Sequence, residues 1–413
     1  MSEDRPGIVV CDDNTRRVKH WAEDIAGVPE VEEKYRPTFL LPKDFADAYV
    51  ALKTRQRTAR RKSPGAEDDA ARILDHTAIV VIDYDLTPAS GYGGLDEKTL
   101  NTLSGAFGDN FAYLTRCYTR AGFTVLVNQD FFKSTFDLTH KKFSFSNADL
   151  NVAHNDLSRS ELWAGRSDGR AYRPWHWPRL LDAADRLQRL TDGLDLDARV
   201  LASLGLDDDD TYAQFTPEQL ELFGSRPRGV TFRRAAGFTS DLNGLKEESI
   251  SESNLPKVAV ASVSNWLERI VLPAQNVLID APHLAQRRPG LLTTVDPREW
   301  GALSDLSDPA ASAALFDSDV VAKAEASQVA PWLSRPAWLW HRCPRTPVRA
   351  AGEPHVFCED VSAFHPLVDA WEYRSAVAGP YDQRFILHEG VATRGLAIDY
   401  WPVQRLFADA QSH

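Results

Sequence analysis

The chain begins with short apolar runs that each stop at acidic residues. Gly7-Ile8-Val9-Val10-Cys11 ends at Asp12-Asp13, and Ala78-Ile79-Val80-Val81-Ile82 ends at Asp83-Tyr84-Asp85. Unbroken β-branched runs of this length predict strands buried on both faces, as in a parallel sheet. Between and after them the pattern changes to a helical period. Asn14 stands as a cap for a helix from Thr15 to Ile25, with Val18, Trp21 and Ile25 on one face. A second strand and helix are predicted at Thr38–Leu41 and Phe45–Leu52. A helix over Phe111–Ala121 then leads into a strand, Phe123–Val127, ending at Asn128. A last strand, Ala148–Ala153, ends at His154. Alternating strands and helices predict a doubly wound, flavodoxin-like parallel sheet over residues 1–160.

Beyond residue 160 the pattern is mainly helical. Periodic stretches run over Arg179–Leu190 and Ala259–Val271. Thr216-Pro217-Glu218-Gln219 carries the cap and first-turn proline of a helix start. Val277–Asp280 reads as a strand or the end of a buried segment, and Ser304–Ala326 as a loop and a helix. These elements predict an N-terminal α/β domain and a larger, mainly helical output region, 161–413, of one or two subdomains.

The chain has 413 residues, 43% hydrophobic and 26% charged, which is ordinary for globular domains. It has no run near the roughly 18 apolar residues that span a membrane. The residues Met1–Arg5 lack the basic segment and apolar core of a secretory leader, and four scattered cysteines form no disulfide framework, so a cytoplasmic location is expected. A net charge of −12 argues against DNA as a partner. The basic stretch Arg55–Lys62 reads as a solvated loop, and Asp207–Asp210 as a solvated turn.

Ligands of open α/β sheets bind outside the carboxyl ends of the strands. If the first and third strands are neighbours, Asp12, Asp13 and Asp83 meet there. Such a cluster demands a cation, and hard carboxylate oxygens favour Mg²⁺. These segments resemble response-regulator receiver domains. Val9–Asn14 is similar to the first strand and acidic pair of that family. Ile82-Asp83-Tyr84-Asp85-Leu86-Thr87-Pro88, with Gly91 eight positions after Asp83, is similar to its phosphoacceptor strand and following loop. The resemblance implies that Asp83 accepts the phosphoryl group. Asp12 and Asp13 would hold Mg²⁺, with the backbone carbonyl of Asp85 as a further ligand, and Thr87 would lie in the active loop. It also implies a histidine kinase as partner. Two positions depart from the family. Asn128 stands where a switch Ser or Thr is usual, and no Lys ends the fifth strand, Lys141 and Lys142 lying upstream. A degenerate receiver that binds metal or a partner only is therefore a second form of the same expectation.

Asp83-Tyr84-Asp85-Leu86-Thr87 also resembles the first motif of haloacid-dehalogenase-type phosphatases, in which Asp83 would be nucleophile and Asp85 general acid. A catalytically silent scaffold is a third alternative. Elsewhere, His341, Cys343, His355 and Cys358 offer ligands suited to Zn²⁺ at an uncommon spacing, with Glu359 and His365 nearby. Trp163, Trp175 and Trp177 beside Arg166, Arg170 and Arg173 could stack a ligand, as could Trp332, Trp338 and Trp340. Arg226, Arg228, Arg233 and Arg234 could clamp an anion, and His283 could act beside Asp280. Packing and solvated charge are the expected roles of the tryptophans and arginines.

Overall fold

A computed structural model describes residues 6–60, 70–86, 96–128, 146–164, 180–239, 250–280, 284, 291, 322–334, 336–343, 355–358, 363–373 and 384–387. Five strands form one parallel sheet: β1 (Gly7–Cys11), β2 (Arg36–Leu40), β3 (Thr77–Asp83), β4 (Phe123–Val127) and β5 (Leu150–Val152), in the order β2-β1-β3-β4-β5. This is the order of flavodoxin-like sheets, whose switch point lies between β1 and β3. Ile8–Cys11 and Ile79–Ile82 are at most 1% exposed, so the uninterrupted apolar runs reflect burial on both faces.

Helix α1 (Thr15–Ala26) starts at Asn14, whose side chain accepts from the backbone N–H groups of Arg16 and Arg17. Val18, Trp21, Ala22 and Ile25 bury its inner face. After the short α2 (Pro29–Lys34) and β2 comes α3 (Pro42–Arg60). It is longer than the apolar pattern suggested. Residues 55–60 of the basic stretch continue this helix rather than forming a loop, because Arg, Gln and Ala are strong helix formers and the segment has no Gly or Pro. Arg55 is turned inward, donating to Asp75 at 2.9 and 3.1 Å and to the carbonyl of Tyr118 at 2.9 Å. Then follow α4 (Glu97–Leu103), α5 (Gly108–Tyr118) and α6 (Ser160–Ala164).

From residue 180 to 274 the described chain is helical: α7 (Leu180–Asp192), α8 (Val200–Ser203), α9 (Asp209–Tyr212), α10 (Pro217–Leu220), α11 (Phe232–Ala235), α12 (Leu255–Trp266) and α13 (Leu272–Ala274). Thr216 and Gln219 form the reciprocal cap of α10. Asp208 caps α9, so the acidic run marks a helix start. A π-helical turn, Leu267–Val271, joins α12 to α13. Strands reappear beyond this segment. β6 (Leu278–Asp280) pairs antiparallel with β7 (Ala337–Leu339), and β8 (His355–Cys358), β9 (Ala363–Pro366), β10 (Trp371–Tyr373) and β11 (Arg384–Ile386) form a second sheet. Among the described residues, 180–239 and 250–274 are thus mainly helical, while the described parts after them include strands. Buried apolar residues from Ile8 to Leu339 belong to one core cluster, and Cys358 and Phe385 form a separate small one. No described helix is long and apolar enough to cross a membrane.

Candidate functional site

The register of the central strands places the site. Cys11 pairs with Ile82, so the following residues, Asp12 just past the end of β1 and Asp83 at the last position of β3, stand side by side at the carboxyl end of the sheet. Asp12, Asp13 and Asp83 each offer a carboxylate oxygen, and these atoms lie within 4.8 Å of one another. All three are buried, at 0, 4 and 8% exposure. This is the only grouping of three or more metal-ligating side chains among the described residues.

Bringing three carboxylates together away from water is unfavourable unless positive charge compensates. Part of the compensation comes from Arg17, in the first turn of α1. Its Nη2 donates to Asp12 Oδ1 at 2.7 Å, Asp13 Oδ1 at 2.8 Å and Asp83 Oδ2 at 2.6 Å. Its Nε donates to Asp12 Oδ2. The guanidinium carbon lies 5.5 Å from the centre of the Trp21 ring, one turn along the same helix. Asp12 also accepts from the Asn14 backbone N–H at 2.8 Å, which ties the cap of α1 to the strand end. Compensation is incomplete. Burial, then the neighbouring Asp12, pushes the Asp83 carboxyl up to about 8, with Arg17 opposing. Burial and Asp12 likewise push Asp13 up to about 7. Arg17 is held even more firmly protonated than usual by its three carboxylate partners.

The donor set fits a divalent ion: buried carboxyl groups with convergent oxygens, whose raised proton affinity means that one guanidinium does not fully stabilise three ionised carboxylates. Asp12, Asp13 and Asp83 would hold it.

A close packing contact fixes the floor of the site. Gly108 opens α5 directly beneath the end of β3, and its N–H donates to the carbonyl of Tyr84 at 2.8 Å. A Cβ at position 108 would lie 2.0 Å from the Asp83 carbonyl oxygen and 2.8 Å from Leu126 Cδ2. Only glycine allows this approach. Tyr84 and Phe107 form a half-exposed aromatic pair at the rim, their ring centroids 6.2 Å apart.

The remaining expected residues are distributed as follows. Asp85 is exposed, bridges to Phe107 through its backbone, and is not in the carboxylate grouping. Asn128 follows β4, its N–H donating to the Val152 carbonyl at 2.9 Å. β5 ends at Val152, and His154 opens a short turn beyond it. Thr87, Lys141 and Lys142 lie outside the described residues, as do His283, Trp175, Trp177, Arg166, Arg170, Arg173 and Glu359. His341, Cys343 and Cys358 make no metal-type grouping among the described residues, and the side chain of His355 is not among those described. Cys343 is buried with its thiol toward the Leu339 carbonyl. Trp163 and Trp332 are core residues, the latter stacked on Phe232 at 5.1 Å. Arg228 pairs with Asp209 and Arg233 with Asp197 and Glu252, as surface ion pairs.

Arg17 and Gly108 escaped the reading of motifs. A signal existed for Arg17: side chains in a helix lean toward its N-terminus, and Arg17 stands four residues after Asp13, in the turn next to the strand end. For Gly108 there was none, because its role depends on how closely α5 approaches β3.

A second buried polar cluster joins the sheet to the helical segment. Arg116 of α5 meets Asp149 at 2.6 Å, and Asp149 accepts from both the N–H and the hydroxyl of Thr124. From α12 and its flanks, Asn254 donates to the Cys117 carbonyl at 3.0 Å. Lys257 donates to the carbonyls of Thr119 and Ala121 at 2.7 and 2.8 Å, and Arg269 to that of Ala148 at 2.6 Å and that of Ser146. No family model matches the chain, and no curated protein or solved structure resembles it significantly.

Proposed function

We propose that this protein is an atypical receiver-type signalling protein. Its acidic pocket takes Mg²⁺, its phosphoacceptor is Asp83, and its C-terminal region is the effector. The observation that carries this reading is the convergence of Asp12, Asp13 and Asp83 at the switch point of a 2-1-3-4-5 parallel sheet. A bound Mg²⁺ supplies charge neutralisation and orientation for a phosphoryl group. Asp12, Asp13 and Asp83 would hold the ion, with the Asp85 carbonyl as the further oxygen that the receiver resemblance implies. The Asp83 carboxyl, raised to about 8 without a metal, is mostly protonated at neutral pH and a poor nucleophile. Positive charge beside it restores the carboxylate. The acceptor oxygen forms the P–O bond as the bond to the donor's leaving group breaks, and a phosphohistidine of a kinase is the donor class expected.

α5 supplies a route to the effector. Its first residue, Gly108, packs on the backbone of Asp83, while Asn254 holds the Cys117 carbonyl in its last turn and Lys257 the Thr119 carbonyl just beyond it. A shift at the acidic strand end therefore moves a helix whose other end is bonded to α12. The hydrolase alternative needs Asp85 beside Asp83, and Asp85 stands outside the carboxylate grouping.

The test is incubation of the whole chain with a small acyl phosphate and Mg²⁺, read by intact mass. One phosphoryl group per chain, absent in Asp83→Asn and without Mg²⁺, is expected. Continuous turnover of an aryl phosphate would instead point to a hydrolase. No transfer together with no metal binding would leave a scaffold.

A further inference from the structure

The acidic pocket already contains a cation of the chain's own. One guanidinium nitrogen, Nη2 of Arg17, contacts carboxylates from both strand ends at 2.6–2.8 Å. A divalent ion needs those same oxygens. Mg²⁺ sits about 2.0–2.1 Å from its oxygen ligands and tolerates little distortion of its octahedron. A guanidinium nitrogen within hydrogen-bonding distance of all three carboxylates cannot share that point with it.

We infer that Arg17 is a tethered competitor for the divalent cation: it fills the pocket in the metal-free protein, and metal entry requires its guanidinium to leave Asp13 and Asp83. This inference rests on the proposed metal-binding reading and names how that site is regulated.

Three features support it. Arg17 comes from α1, which starts two residues after Asp13, so its reach to the pocket needs no rearrangement of the fold. Its side chain is 29% exposed while the three carboxylates it contacts are at most 11% exposed, so it forms the solvent-facing side of the pocket. It also lies over Trp21, which is 3% exposed, so its departure changes the surroundings of a buried indole. The arrangement converts metal arrival into movement of a side chain on α1. It also sets the affinity: metal binding must break the charge-assisted hydrogen bonds from Arg17 to Asp13 and Asp83.

The test uses the full chain and Mg²⁺ or Mn²⁺ alone, titrated by calorimetry into the native protein, Arg17→Met and Arg17→Lys. Arg17→Met keeps the length and apolar stem and removes the charge. It is expected to bind the ion at least tenfold more tightly and to melt at lower temperature without metal, with Mg²⁺ restoring the loss. Arg17→Lys keeps one charge but not the planar fork, and a severalfold tightening is expected. It also decides the question if Arg17→Met does not fold. In the native protein, metal should change tryptophan fluorescence, and Trp21→Phe should remove that change. Equal or weaker metal affinity in the variants overturns the competitor and leaves the metal site standing. No binding by any of the proteins overturns both the competitor and the metal-binding reading.

Discussion

The Asp83→Asn substitution separates the electrostatic account of the pocket from a merely structural one. The Asp83 carboxyl rises from the ordinary 3.8 to about 8, chiefly through burial and then through Asp12. A carboxyl whose folded-state pKa lies above its unfolded value binds its proton more tightly in the folded protein. The stability it contributes is present below about pH 4 and is lost as pH climbs through about 8. Each pH unit in that window removes up to about 1.4 kcal/mol, which caps the loss at about 6 kcal/mol. Water reaches the pocket past the 29% exposed Arg17 side chain. Solvent relaxation at an effective dielectric near that of partly buried sites roughly halves the figure, to about 3 kcal/mol. Asparagine fills the same space and does not titrate. About a quarter of that window lies below pH 5, so the substitution should become more favourable, relative to the native protein, by about 2 kcal/mol between pH 5 and pH 9. Urea unfolding of both proteins at pH 5, 7 and 9 in the presence of a chelator measures this, since titrating groups outside the pocket cancel in the difference. Saturating Mg²⁺ should flatten the native protein's decline. A stability difference that stays constant within about 0.5 kcal/mol across that range, or that moves in the opposite sense, would refute the claim that Asp83 is an under-compensated buried acid.

Three further outcomes are expected. Gly108→Ala places a methyl group 2.0 Å from the Asp83 carbonyl oxygen, so α5 must move; a loss of about 1–3 kcal/mol in denaturant unfolding, together with weakened metal binding, is expected. Asp149→Asn leaves the buried Arg116 guanidinium without its carboxylate, and a loss of about 3–5 kcal/mol by thermal or urea unfolding is expected. Asn14→Ala removes the side-chain acceptor at the start of α1 and should cost about 1 kcal/mol, measured the same way, with looser positioning of Arg17.

Residue patterns alone located much of the N-terminal half. β1, β3 and β4 were legible because strands buried on both faces must be apolar at every position, and α1 because its cap and its buried stripe are local. The acids at positions 12, 13 and 83 were legible as candidates because each interrupts such a strand at its carboxyl end. The extent of α3 was less so: its second half is charged and carries no buried stripe long enough to mark a helix, yet it continues because nothing in it breaks one. The region after residue 274 was the least legible, since strands of three or four residues carry too little periodicity to separate them from loops.

Local chemistry thus determined which residues are strands, caps and isolated acids, since those follow from side-chain shape and from hydrogen bonds a few residues apart. Tertiary structure alone decided that β1 and β3 are neighbours in a register bringing Asp12 beside Asp83. It also decided that Arg17 lies among the three carboxylates, that Gly108 touches the backbone of Asp83, and that α12 closes over the end of α5. The physical reason is that each of these depends on a distance between elements, set by how the whole apolar core packs, and no short stretch of chain contains it.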